Sequence, residues 1–262
     1  MRSPSLRASE EPRPIRLQAI TCDMLLRPVE MLAMESPHDV VVVQLSAALH
    51  AEPATLRERI QARIDAADVG ADAVVLAYGL CGGATAGLVA RKVPVVLPRA
   101  HDCATIFLGS RARYQHEHDA TPGTYWYTED QLERGNTLKG WLLGDAARAA
   151  DVEATRGDFE RRYGKDNADY LMETLGEWHA RYERGAFLDT GLAADDTTAD
   201  QARAESDRRG WRFERVSADL VLIRRLLAAE WDDDFQVLEP GQVLAMSHDE
   251  DVVQALPTGP TS

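Results

Sequence analysis

The chain has 262 residues, 43 acidic and 29 basic, for a formal net charge of −14, and 45% of its residues are apolar. That apolar share is ordinary for a globular protein and too high for a disordered one. The negative charge argues against a nucleic-acid partner or an anionic membrane surface. Three cysteines do not make a disulfide framework, and an odd number cannot all pair within one chain, so a reducing cytoplasm is the expected setting.

Residues 1–15 contain no apolar core of a secretory signal and read as a disordered arm. Residues 16–246 read as a single α/β domain, divisible into two lobes of about 16–120 and 121–246. Residues 247–262 read as a disordered tail. The most apolar run, residues 40–49, is half the length of a membrane span and suits a buried strand, so no membrane partner is expected.

In chain order, 17–21 reads as a strand, 28–34 as a short helix and 40–45 (VVVVQL) as a strand covered on both faces. Pro53 opens a helix whose stripe is Leu56, Ile60, Ile64 and Ala67, with Gly70 as its stop. Residues 73–78 and 93–97 read as the next strands, joined by a helix over 84–91. This strand–helix–strand order predicts βαβ units and a parallel sheet. Further on, Thr128 and Gln131 form a capping box. The span 167–184 reads as a helix striped by Ala168, Leu171, Met172, Leu175, Trp178 and Tyr182. Residues 187–190, 211–216 and 235–238 read as strands, 220–227 as a helix and 191–200 as a surface linker. The expected fold is α/β, with two similar halves around a cleft.

The chemistry falls in three turns, each after a predicted strand. Cys22 follows LQAIT, Cys81 follows AVVLAYGL and Cys103 follows VPVVLPRA. Ligands of a parallel α/β sheet bind at the carboxyl ends of its strands. The cysteines are expected near helix starts, where free N–H groups stabilise thiolates. Three thiolates with one open position describe a catalytic zinc site, and equally a [4Fe–4S] cluster with one labile iron. The bland alternative is that the cysteines only pack.

Gly79, Gly82 and Gly83 let backbone approach a bound cofactor closely. His101, Asp102 and His50 are candidate ligands or catalytic groups beside the thiols. Arg99 and Arg111, with Arg113, are candidates for holding a carboxylate or phosphate. His116 and His118 in HEHD read as a solvated turn, and Pro122 to Tyr125 as a tight turn that is either a lid or a plain connection. No dinucleotide fingerprint, P-loop, HExxH or GxSxG motif is present.

Several blocks resemble the uncharacterised DUF1638 family: TCDMLLRPVE, Leu49-His50, AYGLCGG, PRAHDCATIFLGSRARY, the PGTY turn, YGKDNADYL, FLDTG and LIRRLLAAEWDDDFQVLEPGQ. The resemblance runs from about Ile15 to Ala245. The chain departs from the family after the turn, with Trp126 to Asp130 where many relatives have tyr-leu-thr-pro-gly-trp. The resemblance implies a gene neighbourhood of methylamine-type methyltransferases and corrinoid proteins. It thereby implies corrinoid-linked one-carbon metabolism, with a small anionic or methylated substrate and a corrinoid protein or methyltransferase as partner. A metal-dependent transferase or lyase is one expectation. A non-enzymatic accessory protein for such a system is another, and a small-molecule-binding α/β protein with structural cysteines a third.

Overall fold

A computed structural model describes residues 13–67, 70–133, 156–157, 160–161, 164–165, 182–247 and 249–258. The predicted helix over 167–184 lies outside these residues except at its end, where Arg184 is already in a strand.

The first sheet has the order β2-β1-β3-β4-β8, built from β1 (Arg16–Cys22), β2 (Asp39–Leu45), β3 (Ala73–Ala77), β4 (Val95–Pro98) and β8 (Phe235–Leu238). The first four strands are parallel, and β8 is antiparallel to β4. From β1 the chain steps outward to β2, then returns past β1 to β3. The winding therefore reverses between β1 and β3, and such a switch point opens a crevice at the strands' carboxyl ends.

The two faces can be read directly from the alternation of side chains. Leu17 and Ala19 of β1, with Ala73, Val75 and Ala77 of β3, face a cluster containing Val29 and Leu32 of α1 (Leu26–Glu35). Ile20 and Cys22, with Val74, Leu76 and Tyr78, face Leu56, Ile60 and Ile64 of α2 (Pro53–Asp65). Pro53 starts α2 as the sequence indicates, but the helix ends at Asp65 with Ala66 as its cap, short of Ala67 and of the expected stop at Gly70, which has φ +112°. Burying such stripes contributes roughly 1.5–3 kcal/mol per large apolar side chain.

The helix expected over 84–91 is absent. Residues 81–87 form tight turns, in which Cys81, Gly82, Gly83 and Gly87 all have positive φ. A right-handed helix cannot run through such angles. After β4 come α3 (Cys103–Leu108) and α4 (Arg111–Ala120), capped by Asp102 and Ser110, whose side chains accept from Thr105 N at 3.0 Å and Arg113 N at 3.1 Å.

A second, parallel sheet has the order β5-β6-β7: β5 (Thr124–Thr128), β6 (Arg184–Asp189) and β7 (Arg212–Ser217). The capping box forms ahead of α5 (Glu129–Glu133): Gln131 N donates to Thr128 Oγ1 at 3.2 Å, and Thr128 N to Gln131 Oε1 at 3.4 Å. The linker expected over 191–200 ends early, because α6 (Thr197–Arg208) begins inside it and buries Thr198 and Ala199.

The expected division near residue 120 does not separate the sheets. The second half of the sequence supplies β8 to the first sheet, and α7 (Val221–Leu227) packs on α1, β3 and β4. The tail is also more ordered than expected: β10 (Val253–Pro257) pairs antiparallel with β9 (Gln242–Met246), burying Val253. No helix among the described residues is long and apolar enough to cross a membrane.

Candidate functional site at the carboxyl edge of the first sheet

Cys22 is the last residue of β1, Cys81 follows β3, and Cys103 opens α3 after β4. These are three neighbouring parallel strands, and the first two flank the switch point. Leu80 N donates to Ala100 O and Cys81 N to His101 O, both at 2.8 Å, so the segments carrying Cys81 and Cys103 run side by side. Gly79 is what permits this approach: a Cβ there would lie 2.7 Å from Asp102 N and 2.8 Å from Ala100 O.

Cys81 has φ 49°, followed by Gly82 at 65° and Gly83 at 85°. A left-handed cysteine costs roughly 1–2 kcal/mol, and such strain concentrates at functional sites. Arg57 of α2, which the sequence reading passed over, pins this turn by donating from Nη2 to Gly83 O at 2.9 Å. A Cβ on Gly82 would meet nothing within 4 Å, so the turn faces open space.

The electrostatics differ from the expectation. Cys22 lies just ahead of α1, where the Met24 and Leu25 N–H groups lower its pKa, and Cys103 opens α3, but no helix follows Cys81 before β4. Burial pushes the Cys22 thiol up to about 11 and the Cys81 thiol up to about 12, and lifts Cys103 well above the ordinary thiol range. Charge on Cys22 raises Cys81 and Cys103, charge on Cys81 raises Cys103, and Asp23 and Asp102 add to it. Burial thus favours the neutral thiol at all three positions. Cys22 and Cys81 pack with the α2-side cluster, whereas Cys103 packs with the α1-side cluster. Among the described residues, no group of three His, Cys, Asp or Glu side chains is placed to hold a metal ion.

His50 reaches this edge from a 3₁₀ turn, Ala47–Ala51. Asp23 anchors that turn, accepting from Ala47 N at 3.0 Å and also from Gln44 Nε2. The His50 ring stacks on Tyr78, with centroids 6.0 Å apart and planes 15° apart. Burial lowers the His50 pKa, and burial followed by the charges of Cys22 and Cys81 raises that of Tyr78. Tyr78 and Asp23 belong to the site although the sequence reading did not select them. The only signal was position, since one ends a buried strand run at its carboxyl end and the other follows Cys22.

Asp102 is engaged as the cap of α3, and Tyr114 Oη approaches its other oxygen at 3.5 Å. His101 lies beside Tyr114 and lines a cleft of about 530 Å³ with Ser110, Arg111, Asp234 and Glu250. The arginines expected to hold an anion have partners within the protein. Arg99 Nη1 donates to Asp251 O at 3.2 Å and Val253 O at 2.5 Å, and Arg111 reaches Glu250 O and the Asp234 and Asp251 carboxylates. Arg113 bonds Ser217 O at 2.7 Å. These side chains fasten the β9–β10 loop and β7. His116 and His118 are exposed on α4 rather than in a turn, with His118 stacked on Tyr114. The PGTY turn connects α4 to β5, with Gly123 O accepting from Glu183 N and Arg184 N.

A family model described as "Protein of unknown function (DUF1638)" matches residues 44–227, which include His50, Cys81 and Cys103, while Cys22 precedes the matched stretch. No curated protein and no solved structure matches.

Proposed function

We propose, for a chain that belongs to the DUF1638 family, a metal-binding function at the carboxyl edge of the first sheet, with Cys22, Cys81 and Cys103 taking up a soft cation as thiolates. The observation that carries this reading is geometric: three cysteines come from the ends of three adjacent parallel strands, two of them at the switch point. The local charge supports it. Asp23 and Asp102 oppose ionisation of these thiols, as does an ionised Cys22 or Cys81, and a cation relieves that opposition. Uptake has to bring the three sulfurs together, since the described side chains do not already surround one point.

Zinc is the first choice of metal and a [4Fe–4S] cluster the second. The resemblance adds corrinoid-linked one-carbon metabolism as the setting, with methyl- or sulfur-group transfer or a lyase step as the reaction class. With Arg99 and Arg111 engaged elsewhere, the edge favours a neutral or cationic substrate over an anionic one. Metal analysis of protein purified without oxygen tests the reading. About one equivalent of zinc, or four of iron, is expected, and less than about a tenth of an equivalent of either rejects it. A pull-down with a corrinoid protein separates the accessory role, which requires a stable complex, from catalysis on free small molecules.

A further inference from the structure

Tyr78 is 1% exposed, and its hydroxyl has no hydrogen-bond partner among the described residues. The same is true of His50 Nε2, buried in the ring stacked on Tyr78. Buried polar atoms are nearly always satisfied, and an exception calls for a bound water, ion or ligand. Two such atoms occur in one stacked pair, and both belong to the face that holds Cys22 and Cys81. The Tyr78 ring follows the buried alternation of β3, and Asp23 fixes the turn carrying His50.

We propose that Tyr78 Oη and His50 Nε2 form an oxygen subsite beside Cys22 and Cys81, holding a water in the free protein and an uncharged hydroxyl or carbonyl oxygen of a bound molecule. The proposal rests on reading this edge as a ligand pocket, but it does not require the metal. An uncharged oxygen suits the pair because a neutral imidazole nitrogen accepts or donates and a phenol does both. An anion is disfavoured by the neighbouring Asp23 carboxylate, and Arg99 and Arg111 are tied to the β9–β10 loop.

The test is a double-mutant cycle of Tyr78→Phe and His50→Phe, read as thermal unfolding midpoints of protein kept reduced and metal-free by a chelator. Each single substitution lowers the midpoint by roughly 2–4 °C, and the double lowers it no further than the larger single, because both act through one shared oxygen. A Tyr78→Phe midpoint equal to or above that of the wild type overturns the proposal, since replacing a truly unpaired buried hydroxyl is neutral or stabilising. Additive losses overturn it too. If a variant does not fold, wild-type crystals decide: an oxygen within about 3.2 Å of both atoms is expected, and its absence refutes the subsite. Native mass spectrometry separates the two sources, since a retained organic molecule adds mass and a lone water does not survive. A wild type without zinc whose cycle is still coupled sinks the metal reading alone, whereas a zinc-loaded wild type with an uncoupled cycle sinks only the subsite.

Discussion

Gly79→Ala is predicted to disrupt the thiol edge more than any other single methyl added there. The new Cβ would sit 2.7 Å from Asp102 N, 2.8 Å from Ala100 O and 2.9 Å from Asp102 Cα. Ordinary contacts lie near 3.5 Å or beyond, so two backbone segments must separate by roughly 0.7 Å. Overpacking of this kind costs about 2 kcal/mol, and weakening the Leu80–Ala100 and Cys81–His101 hydrogen bonds adds about 1 kcal/mol each. The expected loss is thus about 4 kcal/mol. Gly82→Ala is the control: its Cβ meets nothing within 4 Å, and only φ +65° opposes it, at about 1 kcal/mol. Urea unfolding gives the two values, and reagent labelling of native thiols reports whether Cys81 and Cys103 become accessible. A Gly79→Ala loss no larger than that of Gly82→Ala would refute the close approach of these segments.

The thiols give a pH prediction. Their folded pKa values lie above the ordinary thiol value, so between pH 9 and 11 the folded state retains protons that the unfolded state has released. Stability therefore falls as pH rises through that window. Cys22, almost wholly buried, accounts for about 3 kcal/mol of the fall, and Cys22→Ala should show a shallower slope in denaturation at pH 8, 9, 10 and 11. Arg99→Ala is expected to cost about 1–3 kcal/mol and to speed hydrogen exchange in residues 249–257 while leaving metal content unchanged; a loss of metal with intact exchange protection would instead give Arg99 a role at the site. Arg184, 3% exposed, pairs with Glu117 at 2.6 Å and Glu214 at 3.3 Å, tying α4 to the second sheet. Glu117→Ala should cost about 3 kcal/mol in a denaturant melt, and a change under about 0.5 kcal/mol would mean the pair contributes no net stability.

The strands of the first sheet were legible because β1 to β4 are apolar runs, although β2 is a part-exposed edge strand rather than one covered on both faces, and α2 carries its stripe from a starting Pro53 but ends at Asp65, short of Gly70. The stretch over 84–91 was not, because the apolar spacing of Leu88 and Ala90 resembles a helix while Gly82, Gly83 and Gly87 adopt angles that a sequence leaves open. Placing the cysteines at strand ends needed only the strand assignments. Their ionisation needed burial, which outweighs any helix-start effect and reversed the expectation. Arg99 and Arg111 looked available because their partners are backbone carbonyls of residues 250–253, far along the chain. Tyr78 was hidden for the opposite reason: in sequence it is one more residue of a buried strand, and only the missing partner on its hydroxyl marks it out.

Cobalt(II) titration of the reduced apoprotein tests the central claim most directly, because thiolate-to-cobalt charge transfer reports the number of sulfur ligands. The account predicts an intense near-ultraviolet band that saturates at one equivalent and falls by about a third in each of Cys22→Ser, Cys81→Ser and Cys103→Ser. A wild-type spectrum without that band, or a band indifferent to any one of the three substitutions, would contradict a shared three-cysteine metal site.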